Sequence, residues 1–430
     1  MTKTAERLTK ALVPEATLQK FDVVISGGGL SGCLSALSLV NLTHADGSPL
    51  RIAIIESTAI KEGLAQTFDE RVLALAHGTA NYLQQLGAWP LIKAKACAIK
   101  DIHISDRGHY GKARLTAKDY QVDALGYVVA MSVIGDALVQ SLNAKTHTSK
   151  NSQNITWFTP DSISEIEWQA EQVNITLSSA QKISASLLLA CDGGNSTCRQ
   201  LAKINISQSD YQQSAIIANV ACEHHHHGKA FERFTEHGPI AMLPMVNFTR
   251  SEHDKNSKGR CSLVWTLPPE QAVKMAALND DDFAKQLEQN FGTWLGKIAH
   301  VGKRDVYPLT LIQAAQQTYH RMALVGNASH TIHPIAGQGF NLGVRDVKQM
   351  ANLIEKALAN NENIGSLALL NNYAQKRSQD LKQVIGLTDS LVTLFSNQLP
   401  PLVAGRNIGL KVLNYAKPLK NIIVKKTMGY

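Results

Sequence analysis

A short apolar run that ends in a glycine turn, FDVVISGGGLSG from Phe21 to Gly32, constrains this chain more than any other stretch in it. Phe21 to Ser26 has the length and composition of a buried strand, and the residues from Leu30 to Val40, rich in Ala, Leu and Ser, read as a helix. Between them Gly27, Gly29 and Gly32 stand at the GxGxxG spacing. In a βαβ unit the first glycine makes the tight turn and the second lets backbone approach a pyrophosphate. The third allows close helix–strand contact, and the helix N-terminus turns free N–H groups toward the phosphates. A glycine turn alone is weak evidence, but a second apolar strand, Arg51 to Ile55, ends in Glu56, where an acidic side chain accepts hydrogen bonds from an adenosine ribose. The gap from Gly32 to Glu56 exceeds the usual value of about 20 residues. The polar stretch THADGSPL, Thr43 to Leu50, absorbs the excess as a loop.

At 430 residues the chain is too long for one small core, so two packed domains are expected. Hydrophobic residues at 44% and charged residues at 18% describe an ordinary globule. No stretch approaches the roughly 18 apolar residues of a membrane span, and the polar start lacks a signal-peptide core, which makes the cytoplasm the expected compartment. The cysteines, Cys33, Cys97, Cys191, Cys198, Cys222 and Cys261, form neither a CxxC pair nor a zinc spacing. Reduced, buried thiols are therefore expected. The net charge of +8 is uneven. From Leu391 onward Arg406, Lys411, Lys417, Lys420, Lys425 and Lys426 alternate with apolar residues and no Asp or Glu intervenes. Such a tail suits a peripheral contact with an anionic membrane or an acidic partner, or else a solvated helical face. No helix-turn-helix, zinc or RNP pattern accompanies the charge, which speaks against nucleic acid.

Further along, Asp69 to Gly87 has helical spacing and is expected to be a helix opened by Arg71, a cation that reaches a bound phosphate or pairs with Asp69 or Glu70. Ile99 to Val129 alternates as strands, Val133 to Leu142 returns to helix, and Asn154 to Leu189 reads as a β-meander closing on Asp192-Gly193-Gly194. Ser207 to Pro308 is β-rich with a helical insertion from Pro269 to Ile298. A short strand, Ala323 to Val325, then leads into GNASHTIHPIAGQGFNLG and a strong helix from Val344 to Asn360. Leu367 to Tyr430 is mostly helical, broken at Pro400-Pro401. Nucleotide-type pieces thus recur near residues 20, 190 and 325. The expected fold is α/β: a Rossmann-like domain assembled from three segments (19–92, 130–202 and 306–365), an inserted β-sheet substrate domain (93–129 and 203–305) and a helical C-terminal region (366–430).

Three stretches together resemble the flavoprotein aromatic hydroxylases, single-component FAD monooxygenases typified by para-hydroxybenzoate hydroxylase. They are the GGGLSG turn with Glu56, LLLACDGGNSTCR from Leu187 to Arg199, and ALVGNASHTIHPIAGQGFNLGVRD from Ala323 to Asp346. They run through most of the chain in the family's order. Asp101 to Val129 and FERFTEHGPIAMLPM, Phe231 to Met245, further resemble the subgroup that serves bacterial ubiquinone biosynthesis. The resemblance implies FAD as cofactor, NAD(P)H as transient reductant, and O2 and a prenylated phenol, 2-octaprenyl-6-methoxyphenol, as co-substrates. The ring would be hydroxylated through a flavin C4a-hydroperoxide from which water is excluded. Lipid-binding helpers or other enzymes of the same pathway are the implied partners, and a homo-oligomer is compatible with the family. A sister hydroxylase acting at another ring carbon, or a non-catalytic scaffold that uses the basic tail, remain the alternatives.

By the same resemblance, Arg71 contacts the FAD phosphate or ribityl region, and Asp192 and Gly193 lie near the pyrophosphate, where the residues alone read as a plain turn. Asn327 stands where the wider family has Asp; an amide still hydrogen-bonds the ribityl chain but carries no charge. Gly337, Gly339, Phe340 and Asn341 present backbone N–H groups to the flavin ring, helped by the positive end of the following helix. Pro334 turns its carbonyl to the substrate side. His333 and, less so, His330 invite an acid–base reading for phenol deprotonation, against a packing role. Arg107 and His109 match the subgroup but read as turn residues, and the run His224 to His227 sits in a strand-like segment of a reaction that needs no metal. The absence of a second GxGxxG argues against a two-nucleotide-domain disulfide reductase and suits a nicotinamide that visits and leaves.

Overall fold

The computed structural model describes residues 18–59, 67–108, 110–148, 154–247, 258–332, 338–396, 421 and 428–429. His109, His333, Pro334, Gly337, the proline break and the basic residues from Arg406 on lie outside them.

The first sheet holds β1 (Gln19–Ser26) at its centre. On one side run β2 (Ile52–Ile55) and β8 (Ile155–Phe158); on the other, β11 (Lys182–Ala190), β19 (Met322–Leu324) and β18 (Thr318–Tyr319). The pairs β1–β2, β1–β11, β2–β8 and β11–β19 are parallel. A meander of β9 (Ile163–Trp168) and β10 (Val173–Leu177) adds antiparallel to β11. The near-continuous apolar runs of the central strands follow from this topology, because both faces are covered. Val23, Ile25, Ile52 and Ile54 pack on one side with α1 (Leu30–Leu39), α4 (Met131–Thr148) and α8 (Gln338–Ala359). Val24, Ala53 and Ile55 pack on the other with Ile175, Leu188 and Leu324.

The second sheet is largely antiparallel. It runs β20 (His330–Thr331), β17 (Asp305–Ala314), β12 (Ile206–Cys222), β15 (Gly259–Leu267), β14 (Gly238–Met245), β13 (Lys229–Thr235), β5 (Asp101–Asp106), β6 (Lys112–Thr116), with β16 (Ile298–Val301) beside β12. Its outer face is sealed by α6 (Pro269–Ala276) and α7 (Asp280–Phe291), whose Phe283, Leu287 and Phe291 meet the fully buried Trp265. Trp265 and Phe283 rings lie edge to face at 5.8 Å. The alternation of strand side chains then turns Ser262, Val264 and Thr266 inward, toward the first sheet.

The third sheet corrects one expectation. Asp69 to Gly87 is not one helix: β3 (Val72–Ala76) precedes α2 (His77–Gln85), which the short α3 (Trp89–Lys93) follows. VLALA is helix-forming by propensity, but β7 (Gly126–Ala130) pairs with it residue for residue from Val72↔Ala130 to Ala76↔Gly126 and with β4 (Cys97–Ile99) on its other edge. Tertiary pairing outweighs a per-residue preference of under about 1 kcal/mol. A second correction is smaller: α8 begins at Gln338, so Gly339 to Asn341 lie in its first turn and not in a loop ahead of it. The last long helix is α9 (Leu367–Ser396). No helix among the described residues is long and apolar enough to cross a membrane.

Candidate active site

The glycine turn is built as tightly as its spacing suggests. Gly27 holds φ +95°, and a Cβ there would stand 2.6 Å from the Cys191 carbonyl oxygen. A Cβ on Gly32 would stand 1.8 Å from the Gly27 carbonyl oxygen, so α1 can lie against the turn only as glycine. Gly29 is different: it is the N-cap of α1, no side chain caps that helix end, and nothing lies within 4 Å of where its Cβ would be. Bare N–H groups beside open space make an anion site.

Glu56 reaches back from the end of β2 to this turn. Its Oε2 accepts the Gly28 N–H at 2.7 Å, and its Oε1 accepts the Thr58 N–H at 2.9 Å and the Thr58 hydroxyl at 2.8 Å. Partial burial pushes the carboxyl up, but the donors from Thr58 and Gly28 more than reverse this and hold it below the usual range. It is an ionised acceptor beside the turn.

Asp192 follows the end of β11, next to the same turn. Its Oδ2 accepts the Cys198 N–H at 3.0 Å, while its Oδ1 is buried without a partner among the described residues. Gly193 has φ +82° and, like Gly339, nothing within 4 Å of its Cβ position. Arg199 of α5 (Thr197–Leu201), which closes the sequence motif there and whose type alone suggests no function, ties this turn to the next one. Its guanidinium donates to the Gly194 carbonyl at 2.7 Å and to the Ala328 carbonyl at 2.8 Å. Asn327 is exposed on that second turn, Gly326–Ala328.

Behind the second turn lies a buried charge network that sequence reasoning missed. Asp346 of α8 accepts the Gly326 N–H at 2.8 Å, contacts His330 Nε2 at 2.9 Å and pairs with Arg377 of α9 at 2.6 Å. Arg377 also pairs with Asp380 at 2.6 Å, and Arg345 reaches Asp380 at 3.0 Å. His330 is thus a buried partner of Asp346. The only trace of this in the sequence is an acidic residue within the apolar run LGVRDV. Asn341 is likewise structural in its side chain, which accepts from the Ala76 N–H and the Thr79 hydroxyl at 2.8 Å each and donates to the Ala74 carbonyl at 2.9 Å. It clamps the β3–α2 corner to α8.

Gly193, Asn327, Gly339 and Phe340 line one cavity of about 470 Å³, together with Arg71 and the inward side chains of the second sheet. Arg71 makes no ion pair with Asp69 or Glu70: its guanidinium lies 5.1 Å over the Tyr307 ring, Asp69 accepts the Lys303 N–H at 2.7 Å and Glu70 accepts the Ser132 hydroxyl. Thiol chemistry has no foothold there, since burial pushes Cys191 up to about 12. The histidine run forms a turn between β12 and β13, where buried His226 faces the Met245 carbonyl at 2.9 Å through Nε2 and accepts the Gly228 N–H at 3.1 Å through Nδ1.

A bare helix N-terminus, an unpartnered Asp192 oxygen and three glycines opening onto empty space are what a bound dinucleotide would fill. The FAD binding domain family matches residues 20–388. The chain belongs to this family of FAD-dependent aromatic monooxygenases. Ubiquinone hydroxylase UbiL of Rhodospirillum rubrum is 32% identical over 95% of the chain and 89% of that relative. The 3-demethoxyubiquinol 3-hydroxylase of Escherichia coli is 29% identical over 96% of the chain and all of that relative. The human mitochondrial ubiquinone biosynthesis monooxygenase COQ6 is 29% identical over 94% and 92%. Among solved structures, p-nitrophenol 4-monooxygenase PnpA of Pseudomonas putida shares the fold at TM-score 0.71 and 19% identity, covering 96% of this chain and 99% of that one. FAD is the cofactor, with NAD(P)H as reductant. Gly27, Gly29, Gly32, Glu56, Asp192 and Gly193 are the residues that would hold the dinucleotide, and the bound flavin would supply the redox chemistry that side chains lack.

Proposed function

We propose that this hydroxylase acts in ubiquinone biosynthesis on 2-octaprenyl-6-methoxyphenol, adding a hydroxyl to the ring carbon para to the existing one. The observation that carries the reading is the cavity between the cofactor turns and the inner face of the second sheet. Its wall there is mostly apolar, with Ile217, Leu243 and Val264 facing Phe340. Such a wall suits an electron-rich ring carrying a long hydrocarbon tail, and it keeps water from the reacting atoms. The names of the relatives support the pathway, and the match of Phe231 to Met245 to the subgroup supports the substrate. In this reading the three segments around residues 20, 190 and 325 form the cofactor domain and residues 93–129 and 203–305 the substrate domain. Arg71 and Asn327 bind the cofactor, Pro334 and the first turn of α8 face the flavin ring, and His333 is a lesser candidate for a proton relay. The greasy substrate brings the otherwise cytoplasmic protein to a membrane surface or to a lipid-binding helper through its basic C-terminal region. A sister reaction at another ring carbon is the second reading, favoured by the name of the Escherichia coli relative. The deciding experiment is mass spectrometry of quinone precursors in a strain lacking the protein. Accumulation of 2-octaprenyl-6-methoxyphenol is expected; a later, already hydroxylated precursor would shift the assignment to the sister reaction. An unchanged precursor profile would overturn both.

A further inference from the structure

Among the described residues a single carboxylate lines the cavity, that of Glu232 on β13, and it holds neither of the cofactor turns. Strand alternation splits β13 into two faces. Phe231 and Arg233 point outward, where Phe231 stacks on Trp294 at 5.6 Å and Arg233 lies 5.0 Å over the same indole. Glu232 points inward, between Ala241 of β14 and Ile104 of β5, the residues that pair with it on either side. Its side chain makes no hydrogen bond or ion pair among the described residues. Burial pushes its carboxyl up to about 7.

An uncompensated carboxyl in an apolar wall is unfavourable to folding, so its presence at a cavity points to a partner that arrives with the ligand. The substrate proposed above brings one suitable group, a ring hydroxyl. We infer that Glu232 is a catalytic residue: its carboxylate accepts a hydrogen bond from the substrate's ring hydroxyl and takes that proton as the ring is hydroxylated. The O–H bond breaks, its electron pair stays on the ring oxygen and raises the nucleophilicity of the ring, and the proton moves to Glu232. Oxygen comes from O2 and the reducing equivalents from NAD(P)H, as the family activity supplies. When the attacked carbon then loses its hydrogen as a proton and the ring regains aromaticity, Glu232 returns its proton to the ring oxygen. This inference rests on the reading of the substrate as a phenol.

The surroundings leave the role to this residue. The ionisable groups on the described surfaces around it are Asp106 further along β5, Arg260 further along β15, Arg71 and Cys191 on other walls of the cavity, and Cys97 on β4. Arg260 is held by the Phe68 and Thr67 carbonyls, and burial raises both Cys97 and Cys191 to about 11 and 12. With Glu232 near neutrality, its basic form gains population as pH rises through about 7.

The test titrates flavin-loaded wild type, Glu232→Gln and Glu232→Asp with a prenylated phenol and with its O-methyl ether, without reductant. Binding is read from the flavin absorbance change between about pH 5.5 and 9. Wild-type affinity for the phenol should climb roughly tenfold or more across that range, as expected of a hydrogen bond to a charged acceptor. The ether should show no such climb. Glu232→Gln should lose the climb and, with reductant and O2 added, hydroxylate about 100-fold more slowly or worse near neutral pH. Glu232→Asp should recover the pH dependence. A Gln variant that keeps the wild-type pH dependence and turnover, or that weakens phenol and ether alike, overturns the inference while leaving the proposed substrate intact. Wild type that binds neither compound overturns the substrate reading and this inference with it.

Discussion

Replacing Asp346 by Asn should destabilise the protein by about 3–5 kcal/mol, because it takes from the buried Arg377 guanidinium the more deeply buried of the two carboxylates that meet it at 2.6 Å. Asp346 is 2% exposed, Arg377 5% and His330 1%, so no water compensates for the loss. The expected readout is a fall of about 5–10 °C in the thermal midpoint at neutral pH. The network also has a pH signature. Burial pushes the Asp346 carboxyl up, but His330, Arg377 and the Gly326 N–H outweigh burial and hold it below the usual carboxylate range. A depressed carboxylate stabilises the fold above its unfolded value of about 4, and that stabilisation is lost as pH falls through the folded value. The wild type should therefore lose stability below about pH 4 more steeply than Asp346→Asn does. Since Asp346 also fixes the Gly326 N–H, the variant should bind FAD more weakly. Unchanged melting and unchanged FAD affinity would show that the network does not hold the second turn.

Gly32→Ala should weaken flavin binding substantially. A methyl group 1.8 Å from the Gly27 carbonyl oxygen cannot be accommodated by rotating a side chain, because the obstacle is backbone. The turn or α1 must move, at a strain of about 1–3 kcal/mol or more. Expressed wholly in binding, this weakens FAD about 5- to 150-fold. Gly29→Ala separates the two requirements on the turn. Its Cβ would meet no protein atom within 4 Å, so the unliganded protein should melt as wild type does. FAD affinity should nonetheless fall, because the methyl group stands where the pyrophosphate approaches. Titration of both purified variants by flavin fluorescence, beside their melting curves without FAD, checks this. A Gly29→Ala variant with wild-type FAD affinity would mean that the open space beside α1 is not the phosphate site.

The parts of the fold that could be read in the chain are those determined by neighbouring residues. The turn at Gly27, the anion-ready start of α1 and the acid at the end of β2 each follow from local backbone chemistry, so the residues announce them. β3 was hidden because its strand character comes from pairing with β7, more than fifty residues on, and its own Leu and Ala favour helix. The Asp346 network was hidden for a similar reason: His330, Asp346, Arg377 and Asp380 meet only when α8, α9 and the second turn are packed. Glu232 stands inside the stretch Phe231 to Met245, yet nothing in that stretch marks it out. Which face of β13 it occupies depends on register with β14 and β5, and an inward carboxylate looks like an outward one until the partners are known. Asn341 adds a role that its motif did not show: beside the backbone N–H expected to face the flavin, its side chain is taken up by Ala74, Ala76 and Thr79.

The measurement that bears most directly on the whole account is incorporation of oxygen-18 gas by the purified, FAD-loaded wild type, supplied with NAD(P)H and a prenylated phenol in unlabelled water. The account requires product carrying a single labelled oxygen on the aromatic ring, with NAD(P)H consumption accelerated by the phenol. Unlabelled product, or substrate recovered unchanged while all the reducing power appears as hydrogen peroxide, would contradict it.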